Sequence, residues 1–379
     1  MNYNDKNVLV ITESSMGHKT YAVRLREYFE SVVYRVDFYY DSEEKELVTR
    51  IINRLLCLRI PSKFISDRNL DFFRLRAQLG YSLLTRRLIA RKLRQRDYSV
   101  LYIHTQALSL LSLDVMKIIP TVVSLDMTNV QASFESDHDY RWTFKPNILM
   151  EKSVYNKAAK ILTWTEWARS SVINDYDISP DKVIHLPPGV DTKLISFTDR
   201  ELRSKQNLYQ LLFIGADFKR KGGEDVLSVF LENFSDKAFL SIVTLDDVKC
   251  KHPNVNIYNN IKAYTTEWFE LYRQADAFVM PTYADAFGLV FIEAMASGLP
   301  IIASKLVQTT EIVRDGETGF LITAGDRKEL ANRLQTLIDN PELGIQMGKK
   351  ARKIVETNFD THKNFQVMES IFKELSAAK

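Results

Sequence analysis

Short apolar runs recur along the chain, and most are followed by a polar or glycine-bearing loop and then by residues with helical spacing. The runs that predict strands are residues 7–12, 99–104, 120–125, 160–165, 211–215 and 276–280. Runs of this length, bounded by turn residues, are typical of strands buried on both faces of a parallel sheet. Their alternation with helices in both halves predicts an α/β protein with two doubly wound, Rossmann-like parallel-sheet domains.

The predicted domain boundary lies just after the segment VIHLPPGVD, residues 183–191, whose two prolines and glycine favour a stiff crossover. With 379 residues, the chain is long for one core and suits two domains. We expect an N-terminal domain over 1–192, a C-terminal domain over 193–358, and a C-terminal helix over 359–379 that packs back on the N-terminal domain.

The segment from Ala277 to Ser304 is the most informative part of the chain. A buried strand leads into a polar loop, and Phe287, Gly288, Leu289 and Val290 then open a helix that Gly298 and Pro300 end. The unpaired N–H groups of a first helical turn, with the positive end of the helix dipole, attract an anion. Gly288 lets a phosphate approach the main chain closely. This segment therefore predicts a site for a phosphorylated ligand.

Two acids flank the start of this helix, Asp285 in the loop and Glu293 within the helix. A carboxylate about one turn from the N–H groups would repel a phosphate, but it can accept two hydroxyl hydrogen bonds from a ribose diol. Taken singly, each acid is better explained as a solvated residue or a cap. The pair in one frame with Gly288 favours a ligand site.

A second candidate loop follows the strand that ends at Gly215. Its basic cluster, Lys219 to Lys221, precedes Gly222 and Gly223. Lysine neutralises phosphate oxygens, and glycines allow close approach of the chain. The alternative interpretation is a solvated basic turn.

Two features of the N-terminal half follow strands. Gly17 lies in the loop after strand 7–12, before a helix expected near Lys19, and Asp126 follows strand 120–125. A single glycine is a weaker signal than G-x-G-x-x-G, which is absent here. Asp126 is equally well explained as a loop or capping residue. His104 is interpreted as a polar core residue in preference to an acceptor-site residue.

The spacing from Asp285 to Glu293, with the FGL and EAMASGLPIIAS sequences, resembles the Glu-x7-Glu signature of retaining glycosyltransferases of family 4, which have the GT-B fold. Lys221 matches the lysine of a Lys-Gly motif in the same family. Two residues depart from the family pattern. Asp285 stands where most members have glutamate, and Ala216 stands where they have arginine.

The resemblance implies two Rossmann-like domains facing across a cleft. It also implies a nucleotide-sugar donor whose sugar passes, with retention, to a hydroxyl acceptor, with a lipid-linked molecule or a polysaccharide as options for that acceptor. It implies that Glu293 holds the ribose, that Lys221 and the N–H groups near Gly288 stabilise the diphosphate, and that Asp285 with Asp126 positions the sugar. No cofactor and no obligatory metal are implied. The full set of predicted site residues is Asp285, Asp126 and Lys221 for catalysis, and Glu293, Gly288, Leu289, Val290, Phe287, Arg220 and Gly17 for donor binding.

Other functions stay open at this point. One is a different GT-B enzyme, such as an epimerase or an inverting transferase. The inverting transferase would need a general base in the first domain, for which His18 and His104 are candidates. A non-catalytic sugar- or membrane-binding protein would be consistent with Asp285 and Ala216. The Asp-x-Asp of residues 137–139 resembles a metal motif of another fold but follows no strand, so we interpret it as an acidic loop.

Charge is unevenly distributed although the net charge is only +3. Arginines and lysines interleaved with apolar residues crowd positions 50–96, which predicts helices with one apolar and one basic face. Such helices can lie on an anionic membrane surface. They can equally cover the sheet, with their arginines exposed to solvent. Nucleic acid is disfavoured, because no recognition motif accompanies the charge.

The expected compartment is the cytoplasm, with peripheral attachment to the inner face of the membrane as an option. Cys57 and Cys250 fall in different predicted domains, which argues against a disulfide and for a reducing environment. We expect no signal peptide and no membrane-spanning segment, because the sequence shows neither a signal-peptide pattern nor an apolar run of spanning length.

Overall fold

Two units make up the chain in the computed structural model, which describes residues 7–14, 16–32, 35–135, 138–199 and 208–377. The first unit comprises Met1–Pro187 with His362–Lys379, and the second comprises Pro188–Thr361. The divisions thus fall near residues 188 and 361, against predicted boundaries at 193 and 359.

The first unit is built on a six-stranded parallel sheet with strand order β2-β1-β3-β4-β5-β6. Its strands are β1 (Val8–Thr12), β2 (Val36–Tyr40), β3 (Val100–His104), β4 (Thr121–Leu125), β5 (Lys160–Thr163) and β6 (Val183–His185). The helices between them are α1 (Met16–Ser31), α2 (Leu47–Leu56), α3 (Lys63–Ser66), α4 (Phe73–Leu93), α5 (Asn129–Phe134), α6 (Lys145–Lys157) and α7 (Glu166–Asn174).

The second unit has its own six-stranded parallel sheet, in the order β12-β11-β10-β7-β8-β9. Its strands are β7 (Tyr209–Ile214), β8 (Ala238–Val243), β9 (Val255–Tyr258), β10 (Ala277–Met280), β11 (Ile301–Ser304) and β12 (Gly319–Ile322). Its helices are α8 (Gly223–Asn233), α9 (Thr266–Gln274), α10 (Leu289–Ala296), α11 (Val307–Thr310), α12 (Arg327–Asp339) and α13 (Pro341–Asn358). The strand order reverses between β7 and β10, which makes their carboxyl ends the expected place for a ligand.

The final helix, α14 (Thr361–Ala377), contacts elements of the first unit. Phe372 is buried and stacks on Phe29 with ring centroids 5.7 Å apart. Tyr28 donates a hydrogen bond of 3.0 Å to Glu369 of α14. These contacts account for the assignment of the chain's last residues to the first unit.

The two sheets confirm the predicted α/β fold, and two local signals can be compared with the helix starts. Thr165, the predicted cap, accepts a 2.9 Å hydrogen bond from the N–H of Ala168 at the start of α7. The predicted helix after β10 starts at Leu289, because Gly288 has φ +81° and therefore caps the helix from outside it. No helix within the described residues has the length and apolar character needed to cross a bilayer.

A buried carboxylate, Glu151 of α6, organises the interior of the first unit. It accepts hydrogen bonds from Gln106 Nε2 at 2.8 Å, from the N–H of Asn129 at 2.9 Å and from Tyr155 at 2.9 Å, and a further one from Tyr176. Burial raises the pKa of Glu151, while the hydrogen bonds act in the opposite direction. Four donors from separate positions therefore depend on one side chain.

Glu151→Ala should lower the free energy of unfolding by about 3 kcal/mol, because it leaves buried donors without an acceptor. Urea denaturation followed by circular dichroism measures the change. Asn156→Ala, at an exposed position of the same helix, is the matched control and should stay within about 0.5 kcal/mol of the wild type. Equal losses in both variants would contradict the organising role of Glu151.

Candidate functional site

The loops that follow β7 and β10 meet at the point where the strand order of the second sheet reverses. The N–H of Tyr283 donates to the carbonyl of Arg220 at 2.9 Å, and the Arg220 guanidinium donates to the carbonyl of Ala284 at 2.8 Å. The guanidinium also donates to Asp217 at 3.1 Å. Arg220 thus fastens the two predicted loops to each other.

An ion pair joins the two loops at their centre. Lys221 Nζ lies 2.5 Å from Asp285 Oδ2, and the two side chains are only 14% and 13% exposed. Attraction between such charges is stronger than at an open surface, because less water screens them. Gln308 donates to the main-chain carbonyl of Asp285 and holds the loop from the other side. The sequence predicted separate roles for Lys221 and Asp285, and the structure makes them direct partners.

Glycine is required in both loops. Gly222 has φ +79°, and a Cβ there would lie 2.2 Å from the carbonyl oxygen of Pro281. A Cβ on Gly288 would lie 2.6 Å from the Phe291 ring and 3.1 Å from Asp285 Oδ2. The glycines therefore permit the close approach of the loops and set the start of α10. The N–H groups of Leu289 and Val290, in the first turn of α10, have no carbonyl partner one turn earlier within the helix.

Glu293 is buried within α10 and is held by a tyrosine that the sequence did not point to. Tyr272 of α9 donates a 2.8 Å hydrogen bond to Glu293 Oε2. Burial, and then the nearby Glu293, raises the pKa of Tyr272. Tyr272 therefore stays a neutral donor that orients the carboxylate. Phe287, a predicted donor contact, has a buried side chain near Phe359, so only its main chain is available to a ligand.

In the first unit, Asp126 lies beside a pair of histidines. Asp126 Oδ2 is 3.5 Å from His18 Nε2, and His18 Nδ1 shares a 2.8 Å hydrogen bond with His104 Nε2. His104 is buried and stacks on Trp164 with ring centroids 4.8 Å apart, as the core interpretation expected. Burial raises the pKa of Asp126, and the nearby His18 acts in the opposite direction. Contacts between polar side chains thus connect Asp126, His18 and His104 at the ends of β3 and β4 and the start of α1.

Two N-terminal predictions need adjustment. Helix α1 begins at Met16, before the predicted start near Lys19, so Gly17 lies in its first turn and not in the preceding loop. The N–H of Ser14 donates to Asp41 at 3.1 Å, which fixes the chain directly after β1. Of the predicted acidic loop, Asp137 lies outside the described residues. Asp139 is exposed in a short 3₁₀ helix, His138–Phe144.

Because of His104, we expect the free energy of unfolding to decrease when the pH is lowered. Burial, with His18 adding to the effect, lowers its pKa well below the 6.5 of an exposed histidine. Below about pH 6.5 the unfolded chain binds a proton that the folded chain refuses, so the free energy of unfolding decreases as pH falls. Between pH 7.5 and 5.5 this contribution is about 1.4 kcal/mol.

The measurement is urea denaturation of the wild type and His104→Phe at both pH values. The variant keeps an aromatic ring against Trp164 and should show a smaller loss on acidification. His138→Gln, at an exposed histidine, should leave the pH dependence unchanged. Identical pH dependence in the wild type and His104→Phe would contradict the assignment.

Gly288→Ala should destabilise the protein more than the same change at Gly316. Both glycines have positive φ, but a Cβ on Gly316 meets nothing within 4 Å. Gly316→Ala should therefore cost only backbone strain, about 1 kcal/mol. Gly288→Ala adds overpacking against Phe291, about 2 kcal/mol more. Thermal unfolding compares the two variants, and equal melting temperatures would contradict the crowding at Gly288.

Comparisons with known proteins agree with this architecture. A D-inositol 3-phosphate glycosyltransferase of Arthrobacter sp. (strain FB24) is 28% identical over 229 residues, covering 53% of this chain and 52% of that protein. The chain spans about half the length of the curated relatives it matches.

Solved structures share the fold across both units. Sucrose-phosphate synthase from Thermosynechococcus elongatus has a TM-score of 0.74 at 17% identity, covering 99% of this chain and 100% of that chain. The Anabaena protein HepE, in complex with UDP-glucose, has a TM-score of 0.67 at 16% identity, covering 96% and 99%. Both are similar in fold to this protein.

Family models match two adjoining segments that together span most of the chain. The model of glycosyltransferase family 4 matches residues 16–194, and the model of glycosyl transferases group 1 matches residues 195–354. The chain therefore belongs to the family 4 glycosyltransferases and has their GT-B fold.

Proposed function

We propose that the protein is a retaining glycosyltransferase that moves a sugar from a nucleotide-diphosphate donor to a hydroxyl acceptor. The observation that carries this proposal is the Lys221–Asp285 ion pair at the strand-order reversal of the second sheet. It places a cation beside the start of α10, the helix that also contains Glu293. Family membership and the structure of HepE with UDP-glucose support a nucleotide-sugar donor.

The donor's diphosphate would lie against Lys221 and the N–H groups of Leu289 and Val290. As the bond from the sugar to the diphosphate breaks, negative charge builds up on the leaving oxygens. A lysine and a helix N-terminus that are already in position stabilise this charge without further reorganisation. We therefore propose that no metal is obligatory, because the chain itself supplies the positive charge.

The remaining site residues would position the donor. Glu293, held by Tyr272, would accept hydrogen bonds from the ribose hydroxyls. Asp285 would contact the sugar. Because its side chain is also paired with Lys221, the same carboxylate would contact both the transferred sugar and the lysine that stabilises the leaving diphosphate. Asp126 of the first unit, with His18 beside its carboxylate, stays the sugar-positioning candidate that the family resemblance implies.

The acceptor is proposed as a hydroxyl of a glycan, a glycolipid or a small molecule. Curated relatives include a D-inositol 3-phosphate glycosyltransferase and a capsular polysaccharide biosynthesis glycosyltransferase of Staphylococcus aureus. The acceptors that these two names indicate are the first to be tested. A thermal-shift screen with uridine, guanosine and adenosine diphosphate sugars would select the donor, because a bound ligand stabilises the fold.

Lys221→Ala should lower kcat/KM for the selected donor by roughly 10²- to 10³-fold, since it removes a charge that acts on the leaving group. The measurement is release of nucleoside diphosphate with acceptor present, with and without EDTA. Lys219→Ala is the matched control, because Lys219 is exposed in the same loop and should retain wild-type activity. Wild-type turnover in Lys221→Ala would refute the site assignment.

Two further outcomes separate the alternative functions. Donor binding without transfer or hydrolysis across the acceptor panel would indicate a non-catalytic binding protein. NMR of the product's anomeric proton distinguishes retention from inversion. An inverted product would direct attention to His18 and His104 as sources of a general base.

A further inference from the structure

Helix α2 in the first unit has its polar side inward and its apolar side outward. Thr49 is buried, and Asn53 packs on α4, where a Cβ on Gly80 would lie 2.4 Å from its Oδ1. The residues on the outer face are 40% to 69% exposed and are Leu47, Val48, Ile51, Ile52 and Leu55. A helix on the surface of a globular protein normally has the opposite arrangement. The outer face of α2 is therefore suited to contact with an apolar partner.

The exposed apolar character continues beyond the helix. Leu58, Ile60 and Phe64 are each 45% to 61% exposed, so one stretch of chain, residues 47–64, presents eight large apolar side chains. The Arg68 guanidinium lies 4.4 Å from the Phe64 ring centroid and 5.3 Å from that of Tyr140. Single exposed apolar residues are ordinary, whereas a concentration of this kind marks an interaction surface. We refer to residues 47–64 as the apolar-basic segment.

The charges of the apolar-basic segment have one sign. It contains four cations and no acid, and none of the four forms an ion pair with a described residue. These cations are Arg50, Arg54, Arg59 and Lys63. Arg59 instead lies over the Phe73 ring at 4.3 Å. The free charges therefore attract an anionic partner.

Other arginines of the basic region differ in this respect. Arg86 pairs with Asp114, Arg91 with Glu44 at 2.9 Å, and Arg96 with Asp37 at 2.9 Å. These cations are already neutralised by acids of the same unit. The basic character predicted for residues 50–96 is thus divided, because Arg86, Arg91 and Arg96 are paired within the unit and the four cations of the apolar-basic segment are not paired with a described residue.

We propose that the apolar-basic segment docks the protein on an anionic lipid bilayer. The outer face of α2 would enter the boundary between headgroups and acyl chains, and the four cations would pair with lipid phosphates. A ten-residue helix is too short to span the bilayer and lies in its plane. Association of two copies through this face would bring eight unpaired cations together, which disfavours a second copy as the occupant.

The test is flotation of the full chain with vesicles of phosphatidylcholine alone and of phosphatidylcholine with about 30 mol% phosphatidylglycerol. The wild type should float with the anionic vesicles only, and less at high salt, because salt screens the cations. Arg50→Gln with Arg54→Gln should weaken partitioning roughly five-fold for each cation removed. Leu47→Gln, Ile51→Gln and Leu55→Gln together should abolish flotation at any salt concentration.

The matched control is Lys117→Gln with Ile118→Gln, an exposed cation and an exposed apolar residue in the same unit but outside the segment. It should float as the wild type does. All substituted residues are exposed, so melting temperatures should be unchanged, and turnover of a water-soluble acceptor should also be unchanged. None of these substitutions changes a donor-site residue. Loss of membrane binding and loss of sugar transfer can therefore be observed separately.

Three results would overturn the proposal. The wild type would fail to float with anionic vesicles, or would float equally with neutral ones. The third result is a wild-type dimer in sedimentation velocity that becomes a monomer in the Leu47→Gln, Ile51→Gln, Leu55→Gln variant. That result would assign the surface to a second copy of the chain.

Discussion

Parallel strands impose the constraint on which both units depend. Two parallel neighbours cannot be joined by a tight turn, so each connection must cross the sheet, usually through a helix, before the next strand begins. All strands of a unit therefore end at the same edge. In the second unit this brings the Lys221 loop to the Asp285 loop, and in the first unit it brings His104 and Asp126 to the start of α1. The polar residues of both units that we single out therefore lie at the carboxyl ends of the parallel strands.

Features encoded within a few residues of one another could be predicted from the sequence. The strands are short apolar runs, and the cap at Thr165 and the break at Gly288 are local properties of the backbone. The alternation of these elements was sufficient for the fold class and for the positions of the two loops that follow β7 and β10. The roles assigned to Asp285, Glu293 and Gly17 rest on family resemblance and stay predictions.

Contacts between distant positions could not be predicted in this way. Lys221 and Asp285 are 64 residues apart, and no local pattern shows that their charges meet. The same holds for Tyr272 with Glu293 and for His18 with His104. In α2, periodicity identified an apolar face, but only the packing on α4 shows that this face is the outer one. Amphipathicity defines two sides of a helix and does not say which one is covered.

The Lys221–Asp285 pair also limits how this site can change during evolution. Each charge is largely buried and is compensated by the other, so replacing one leaves the second without a close counter-charge. Effects of substitutions at the two positions will therefore be strongly non-additive. A lineage that exchanges Asp285 for the family's more usual glutamate keeps the charge but must find room for another methylene beside Gly288. Divergence at this site is thus expected to proceed by coordinated steps that involve both loops.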